Sequence, residues 1–197
     1  MTNISLTDFM EFVTKTGPTK YTKVKQIKSR DKYHPALDFW KPLRDAIIEF
    51  HTEEKNRTHF DNLLQSLSDK NKVKSYPELV NRYKSFLGRK TIKWFTPPKG
   101  EWKHNDLRIK LNPELGLTIN DKKFAIKLYF KSEQLSQMKV DLIILLLNEK
   151  LKKPKDVNFA VLDVKHKKFF SSTKLTESHL SLLEGEALSL MQVWMGF

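Results

Sequence analysis

The chain has 197 residues, no cysteine, and a net charge of +13 from 36 Lys and Arg against 23 Asp and Glu. A hydrophobic fraction of 39% with 13 Phe and 4 Trp is typical of a folded globular protein, and the lack of cysteine excludes disulfides, thiolate zinc sites and cysteine nucleophiles. The surplus of cations favours a polyanionic partner, such as nucleic acid, an anionic membrane surface or an acidic protein.

The chain starts without a basic region followed by an apolar stretch, so we expect a cytoplasmic protein without a membrane partner.

The first 88 residues are predicted to be helical. A helix opens at Ser5, which with Asp8 resembles a capping box, and ends at Gly17-Pro18. The basic stretch 20–33 fits either helical turns or an extended arm. Three further helices are predicted, from Asp38, after Thr58, and from the capping box of Ser75 and Glu78 to Gly88.

From Arg89 the apolar period changes from 3.6 to 2, which indicates β-strands. Strands are predicted over 91–96, 102–112, 115–119 and 122–131, with a tight turn at Asn120-Asp121 between the last two. A helix over 136–152 is apolar nearly all round and is therefore expected to be buried. Strands over 157–164 and 168–172 and a final helix over 176–194 complete the chain.

This order of elements, helices followed by β-β-β-β-α-β-β-α, is typical of an α+β protein. Residues 1–88 are expected to form a helical layer, and residues 89–197 a core of mixed or antiparallel sheet with a closing C-terminal helix. We expect the two parts to pack as one globule, because the N-terminal helices are too short to form a core of their own.

Two of the predicted strands alternate apolar residues with cations. Successive side chains of a strand point to opposite faces, so one polar face is expected to collect the basic residues and one tyrosine. Nucleic acid binding needs cations for the phosphates and a flat ring for the bases. We therefore predict a non-catalytic module that binds nucleic acid or another polyanion; the competing hypothesis is a sheet whose lysines only keep it soluble and blunt its edge. The predicted basic face consists of Arg108, Lys110, Lys127, Tyr129 and Lys131.

A second pattern is the block Asn112-Pro113-Glu114, followed by a hairpin and Ala125-Ile126-Lys127. A proline–acid pair, a hairpin and then acid-x-Lys resembles the signature of the PD-(D/E)XK, restriction-endonuclease-like nucleases. The succession of strands, a helix after Lys131 and then a buried strand resembles the core of that superfamily. The resemblance implies Mg²⁺ held by two carboxylates beside a lysine that positions or activates water.

The chain departs from this signature at Ala125, which stands where the second carboxylate belongs. Glu114 and Lys127 match the signature, and Glu133 or Asp163 could replace the missing acid. The alternative function is thus a Mg²⁺-dependent nuclease with a degenerate site. The six histidines show no ligand spacing such as HxxxH, so no other metal or cofactor is predicted.

Residues 8–194 also resemble a bacterial protein family of unknown function. The resemblance implies a bacterial, single-unit protein and no particular chemistry. Within residues 38–44, one of the blocks that carry this resemblance, Trp40, Lys41 and Arg44 form either a ligand-facing patch or a packed helix cap. A third hypothesis is a structural or protein-interaction role, including a homodimer through the leucine-rich final helix. The blocks that carry the resemblance are 38–44, 112–117, 127–131 and 161–164.

Overall fold

The computed structural model describes residues 1–30 and 38–196, and it confirms the predicted α+β class with a C-terminal helix. No helix in these two segments is long and apolar enough to cross a bilayer. In chain order the elements are β1 (Thr2–Ser5), α1 (Leu6–Val13), α2 (Pro18–Lys28), α3 (Lys41–Thr52), α4 (His59–Gln65), α5 (Lys70–Leu87), β2 (Ile92–Trp94), β3 (Gly100–His104), β4 (Leu107–Leu111), β5 (Leu115–Ile119), β6 (Lys122–Tyr129), α6 (Gln137–Lys150), β7 (Val157–Asp163), β8 (Lys168–Phe170) and α7 (Leu180–Met195).

The strands form two sheets. The larger has the order β2-β5-β6-β7-β8, in which β6 and β7 are parallel and the other neighbours antiparallel. The smaller has the order β1-β4-β3, with β1 parallel to β4. The helix α6 connects β6 to β7, as a parallel pair requires a crossover rather than a tight turn.

Helices cover both faces of the five-stranded sheet. On β6, Ala125 and Tyr129 pack into one core with residues of α1, α6 and α7, whereas Ile126 and Leu128 pack into a second core with residues of α3, α4 and α5. The N-terminal helices are thus divided between the two faces. The final helix buries Leu183, Ala187 and Leu190 and leaves Leu182, Leu188 and Met195 exposed; the homodimer through this helix stays a prediction.

Several boundaries differ from the predicted ones for local reasons. Ser5 does cap α1, since its hydroxyl accepts the backbone N–H of Asp8 at 3.0 Å, but a strand precedes it. The strand predicted over 102–112 is a hairpin, β3 and β4, that turns at Asn105 with a φ of 49°. The helix predicted from Ser75 begins at Lys70, because Asp69 accepts the N–H groups of residues 71 and 72. The basic stretch is helical through Lys28, and residues 31–33 lie outside the described segments.

Candidate functional site

The five residues of the predicted basic face lie on two separate surfaces. Arg108 and Lys110 belong to β4 in the three-stranded sheet, whereas Lys127 and Tyr129 belong to β6 in the five-stranded sheet and Lys131 follows it. The expectation that they share one solvent-facing surface is therefore wrong. The physical reason is that the period of two gives the face of each side chain within its own strand, while it does not determine which strands pair. The N-terminal strand β1 takes the place beside β4.

Arg108 and Lys110 lie on the outer face of the three-stranded sheet together with Glu101 and Lys103. The carboxylate of Glu101 is 2.8 Å from Lys103 Nζ and 3.2 Å from Arg108 Nε, and Glu101 is paired in register with Lys110. The hydrogen bond from Lys103, with smaller effects of Arg108 and Lys110, lowers the pKa of Glu101 below its ordinary value. This outer face is small, and an acid at its centre cancels part of its charge.

Lys131 lines an open cleft of about 580 Å³ that lies just beyond the carboxyl end of β6. Lys127 and Tyr129 line a small adjoining cavity of about 20 Å³. The cleft lies between α1, the segment that joins β6 to α6, and one aromatic side chain from the start of α3; its lining is Glu11, Thr14, Lys15, Trp40, Lys131, Ser132, Glu133, Ser136 and Lys139.

A network of ion pairs forms one wall of this cleft. Glu11 accepts hydrogen bonds from Lys131 and, at 2.6 Å, from Lys23, which is also 2.9 Å from Asp8. Burial alone would raise the pKa values of Asp8 and Glu11, but their hydrogen bonds with these lysines hold both below their ordinary values. Both carboxylates are therefore ionised at neutral pH. The side chain of Lys23 is only 2% exposed, so these acids are the partners of a buried ammonium group.

The two residues that the nuclease signature matched are in contact. Lys127 donates a hydrogen bond to Glu114, and the other carboxylate oxygen of Glu114 accepts the backbone N–H of Leu128 at 2.8 Å. The side chains of Glu114 and Lys127 are 11% and 18% exposed. Arg44 of α3 also interacts favourably with the Glu114 charge. The two residues of the signature are thus neighbours in space, and each carboxylate oxygen of Glu114 already accepts a hydrogen bond from the protein itself.

The residues considered as the second carboxylate do not complete a Mg²⁺ site. Ala125 is fully buried, and the side chain of Glu133 is 71% exposed and pairs with Lys139 at 3.3 Å. Asp163 is fully buried, and its carboxylate accepts hydrogen bonds from the N–H of Leu135 and from the backbone and ring of His166. Within residues 1–30 and 38–196, no group of three or more His, Cys, Asp or Glu is placed to hold a metal ion. These residues do not fit the metal that the resemblance implies.

The aromatic residue at the cleft is not the predicted one. Tyr129 is only 8% exposed, and burial, with smaller effects of Glu133, Glu11 and Asp163, raises the pKa of its hydroxyl. Its ring therefore belongs to the core. Trp40 lines the cleft instead, with its ring stacked at 5.9 Å on Tyr76 and at 5.7 Å on Phe130.

Lys15 and Lys139, which also line the cleft, carried no sequence signal. No protein-family model, no curated protein and no solved structure matches the chain at a significant level. The resemblances to the nuclease core and to the bacterial family therefore stay predictions, and the proposal below rests on geometry and charge.

Proposed function

We propose that this protein binds nucleic acid, without catalysing a reaction on it, in the cleft between α1, the β6–α6 segment and Trp40. One observation carries the proposal: Lys15 after α1, Lys131 after β6 and Lys139 in α6 line the same open cleft as Trp40. Ammonium groups suit phosphates, and Trp40, whose ring is stacked on Tyr76 and on Phe130, forms part of the cleft wall beside them. The net charge of +13 adds a long-range attraction for any polyanion.

The three lysines differ in how available they are to a ligand. Lys15 is exposed and has no ion-pair partner within the described part of the chain. The side chain of Lys131 is 41% exposed and shared with Glu11. Lys139 is 10% exposed, but its partner Glu133 lies mostly in solvent, where an ion pair costs little to open. A phosphate can thus contact Lys15 directly, whereas at Lys131 and Lys139 it must share the lysine with a glutamate or displace that glutamate.

The test compares two variants that lose the same charge on different surfaces. Lys15→Gln/Lys131→Gln alters the cleft, and Arg108→Gln/Lys110→Gln alters the outer face of the three-stranded sheet. Fluorescence anisotropy with labelled DNA and RNA oligonucleotides, single-stranded and duplex, measures affinity across a salt series. We expect the cleft variant to bind more weakly and to reduce the slope of log K against log salt by about 2, because each neutralised phosphate contributes close to one unit.

The outer-face variant is expected to retain both the affinity and the salt slope of the wild type. Equal losses in the two variants would mean diffuse attraction rather than a site, and a loss in the outer-face variant alone would place the site there. No measurable binding by the folded wild-type protein would end the proposal. Circular dichroism and thermal melting establish that each variant is folded.

A metal-dependent nuclease is the second candidate, favoured by the contact between Glu114 and Lys127 and opposed by the missing second carboxylate. A cleavage assay with and without Mg²⁺, on wild type and on Glu114→Ala, separates the two candidates. A Mg²⁺-dependent product that the folded variant does not make would establish the nuclease. A wild-type signal no higher than that of the variant would leave binding alone.

A further inference from the structure

Glu11 is held between lysines from two distant parts of the chain. One carboxylate oxygen is 2.6 Å from Lys23 Nζ in α2, and the other accepts a hydrogen bond from Lys131, which lies 120 residues further along the chain. The Glu11 side chain is 17% exposed and lines the cleft. A negative charge of the protein itself thus lies where the cleft offers its cations.

The two lysines depend on Glu11 to different degrees. Lys23 keeps a second acid, since Asp8 Oδ1 is 2.9 Å from its Nζ and Asp8 is itself held by Arg30 at 2.9 Å. Lys131 has Glu11 as its ion-pair partner, and its side chain is 41% exposed at the cleft. The contact between Glu11 and Lys131 can therefore open without leaving a buried charge unpaired.

We propose that Glu11 is an internal competitor of the nucleic acid, and that a phosphate of the bound strand displaces it from Lys131. The inference rests on the proposed function, because it concerns the same cleft. A carboxylate and a phosphodiester each carry one negative charge and accept N–H hydrogen bonds, so they compete for the same ammonium group. Every ligand then binds at the cost of one ion pair of the protein.

This competition selects for the number of phosphates that a ligand brings. A mononucleotide must displace Glu11 with few contacts to offset the lost pair, whereas a strand also places phosphates at Lys15 and Lys139. The cost of one ion pair is the same for both ligands, but it removes most of the small affinity of a mononucleotide and only part of the larger affinity of a strand. The ligand class that follows is an extended strand rather than a free nucleotide.

Glu133 provides a matched control for the charge of Glu11. It also lines the cleft, but its side chain is 71% exposed and its ion pair with Lys139 has a separation of 3.3 Å. Glu11→Gln and Glu133→Gln change the net charge of the protein by the same amount in the same cleft. Only the first releases Lys131.

The experiment measures the affinity of wild type, Glu11→Gln and Glu133→Gln for a fluorescein-labelled 12-nucleotide single-stranded DNA at one salt concentration. We expect Glu11→Gln to bind about fivefold more tightly, the factor that corresponds to a partly exposed ion pair. Glu133→Gln should gain less than about twofold, because its charge is screened by solvent. Glu11→Gln should also raise the affinity for AMP by a similar factor, because the AMP phosphate displaces the same carboxylate from Lys131.

The outcomes separate this inference from the proposed function. If wild type binds DNA and Glu11→Gln binds no better than Glu133→Gln, the internal competitor is wrong and the binding function stands. If neither the wild type nor any folded variant binds DNA, both the inference and the proposed function are wrong. If thermal melting shows that Glu11→Gln is unfolded, Glu11→Asp replaces it. Its side chain is one methylene too short to hold both lysines, so a smaller gain of the same sign is expected, and its absence would overturn the inference.

Discussion

The carboxylate of Glu114 accepts the backbone N–H of Leu128 at 2.8 Å, so a residue that precedes β5 is bonded to the main chain of β6. Its other oxygen receives the ammonium group of Lys127. One side chain therefore satisfies two successive residues of the neighbouring strand, in a region that helices cover on both sides. Any loss of activity in a Glu114 variant has to be compared with its loss of stability.

We expect Glu114→Ala to lower the free energy of unfolding by about 3 kcal/mol, because it leaves a mostly buried ammonium group and a backbone N–H without their acceptor. Glu114→Gln keeps an acceptor and should cost less. Urea unfolding at neutral pH measures both. The control is Glu101→Ala on the exposed outer face, for which about 0.5 kcal/mol or less is expected. Similar losses for Glu114→Ala and Glu101→Ala would contradict the structural role.

The pair of His51 and Tyr83 predicts a loss of stability in mild acid. His51 Nε2 is 2.6 Å from the hydroxyl of the fully buried Tyr83, and burial lowers the pKa of His51 from 6.5 to about 4. In the unfolded chain His51 takes up a proton below about pH 6.5, whereas the folded protein resists until near pH 4. The stabilisation is thus complete above pH 6.5 and is lost as the pH falls towards 4, by about 2 kcal/mol at pH 5.

Urea unfolding of wild type and His51→Gln at pH 7.5, 6 and 5 tests this dependence. The glutamine side chain can still accept the Tyr83 hydroxyl but does not titrate, so its stability should fall less with pH. Groups other than His51 contribute equally to both proteins. Parallel pH profiles would show that His51 is not the group responsible.

Part of the fold could be predicted because its signals are local. The pair Asn120-Asp121 predicts a turn because it separates two runs of period two, and both residues have positive φ, 46° and 67°. The similar pair Asn105-Asp106 does not predict a turn, because it lies within what reads as a single run of period two. The strand β1 has four residues with only Ile4 buried, so it shows no period, and its partner β4 lies about 100 residues away. Strand pairing at that distance depends on tertiary packing.

The same division applies to the candidate site. The contact of Glu114 with Lys127 could be predicted because the tight turn between β5 and β6 sets the register that pairs Leu115 with Ile126. The cleft could not be predicted, since Lys15, Trp40 and Lys139 are brought together only by the packing of separate elements. The register of a hairpin can be predicted from a single sequence, because its turn is local. The cleft cannot, because its residues come from distant parts of the chain and share no sequence pattern.

We expect Asp163 to stabilise the fold. It is fully buried, and its carboxylate accepts the backbone N–H of Leu135 at 3.3 Å, the backbone N–H of His166 at 3.1 Å and the His166 ring at 2.9 Å. Asp163→Asn places an amide NH₂ donor against N–H groups that also donate, and it should lower the free energy of unfolding by about 3 kcal/mol. His166→Ala removes only the ring contact and should cost about 1 kcal/mol. Urea unfolding ranks the two, and a reversed order would mean that Asp163 does not organise this turn.

Gly116 on β5 is a position where the backbone leaves no room for a side chain. A Cβ there would lie 2.0 Å from the carbonyl oxygen of Phe95, whose N–H donates to the Gly116 carbonyl at 2.9 Å. Since the clash is with main chain, Gly116→Ala must separate the two segments, and we expect a loss of more than about 3 kcal/mol or an insoluble protein. Gly185 in α7 is the matched control, because its Cβ would meet nothing within 4 Å.

Gly185→Ala should stabilise the protein by up to about 1 kcal/mol, the difference in helix propensity between the two residues. Thermal melting and urea unfolding compare both variants with wild type. The same Gly→Ala change is thus expected to lower the free energy of unfolding at Gly116 and to raise it at Gly185, because the space around the two glycines differs. If Gly116→Ala were as stable as wild type, the close approach of Phe95 to β5 would be wrong, and with it the packing of this edge of the five-stranded sheet.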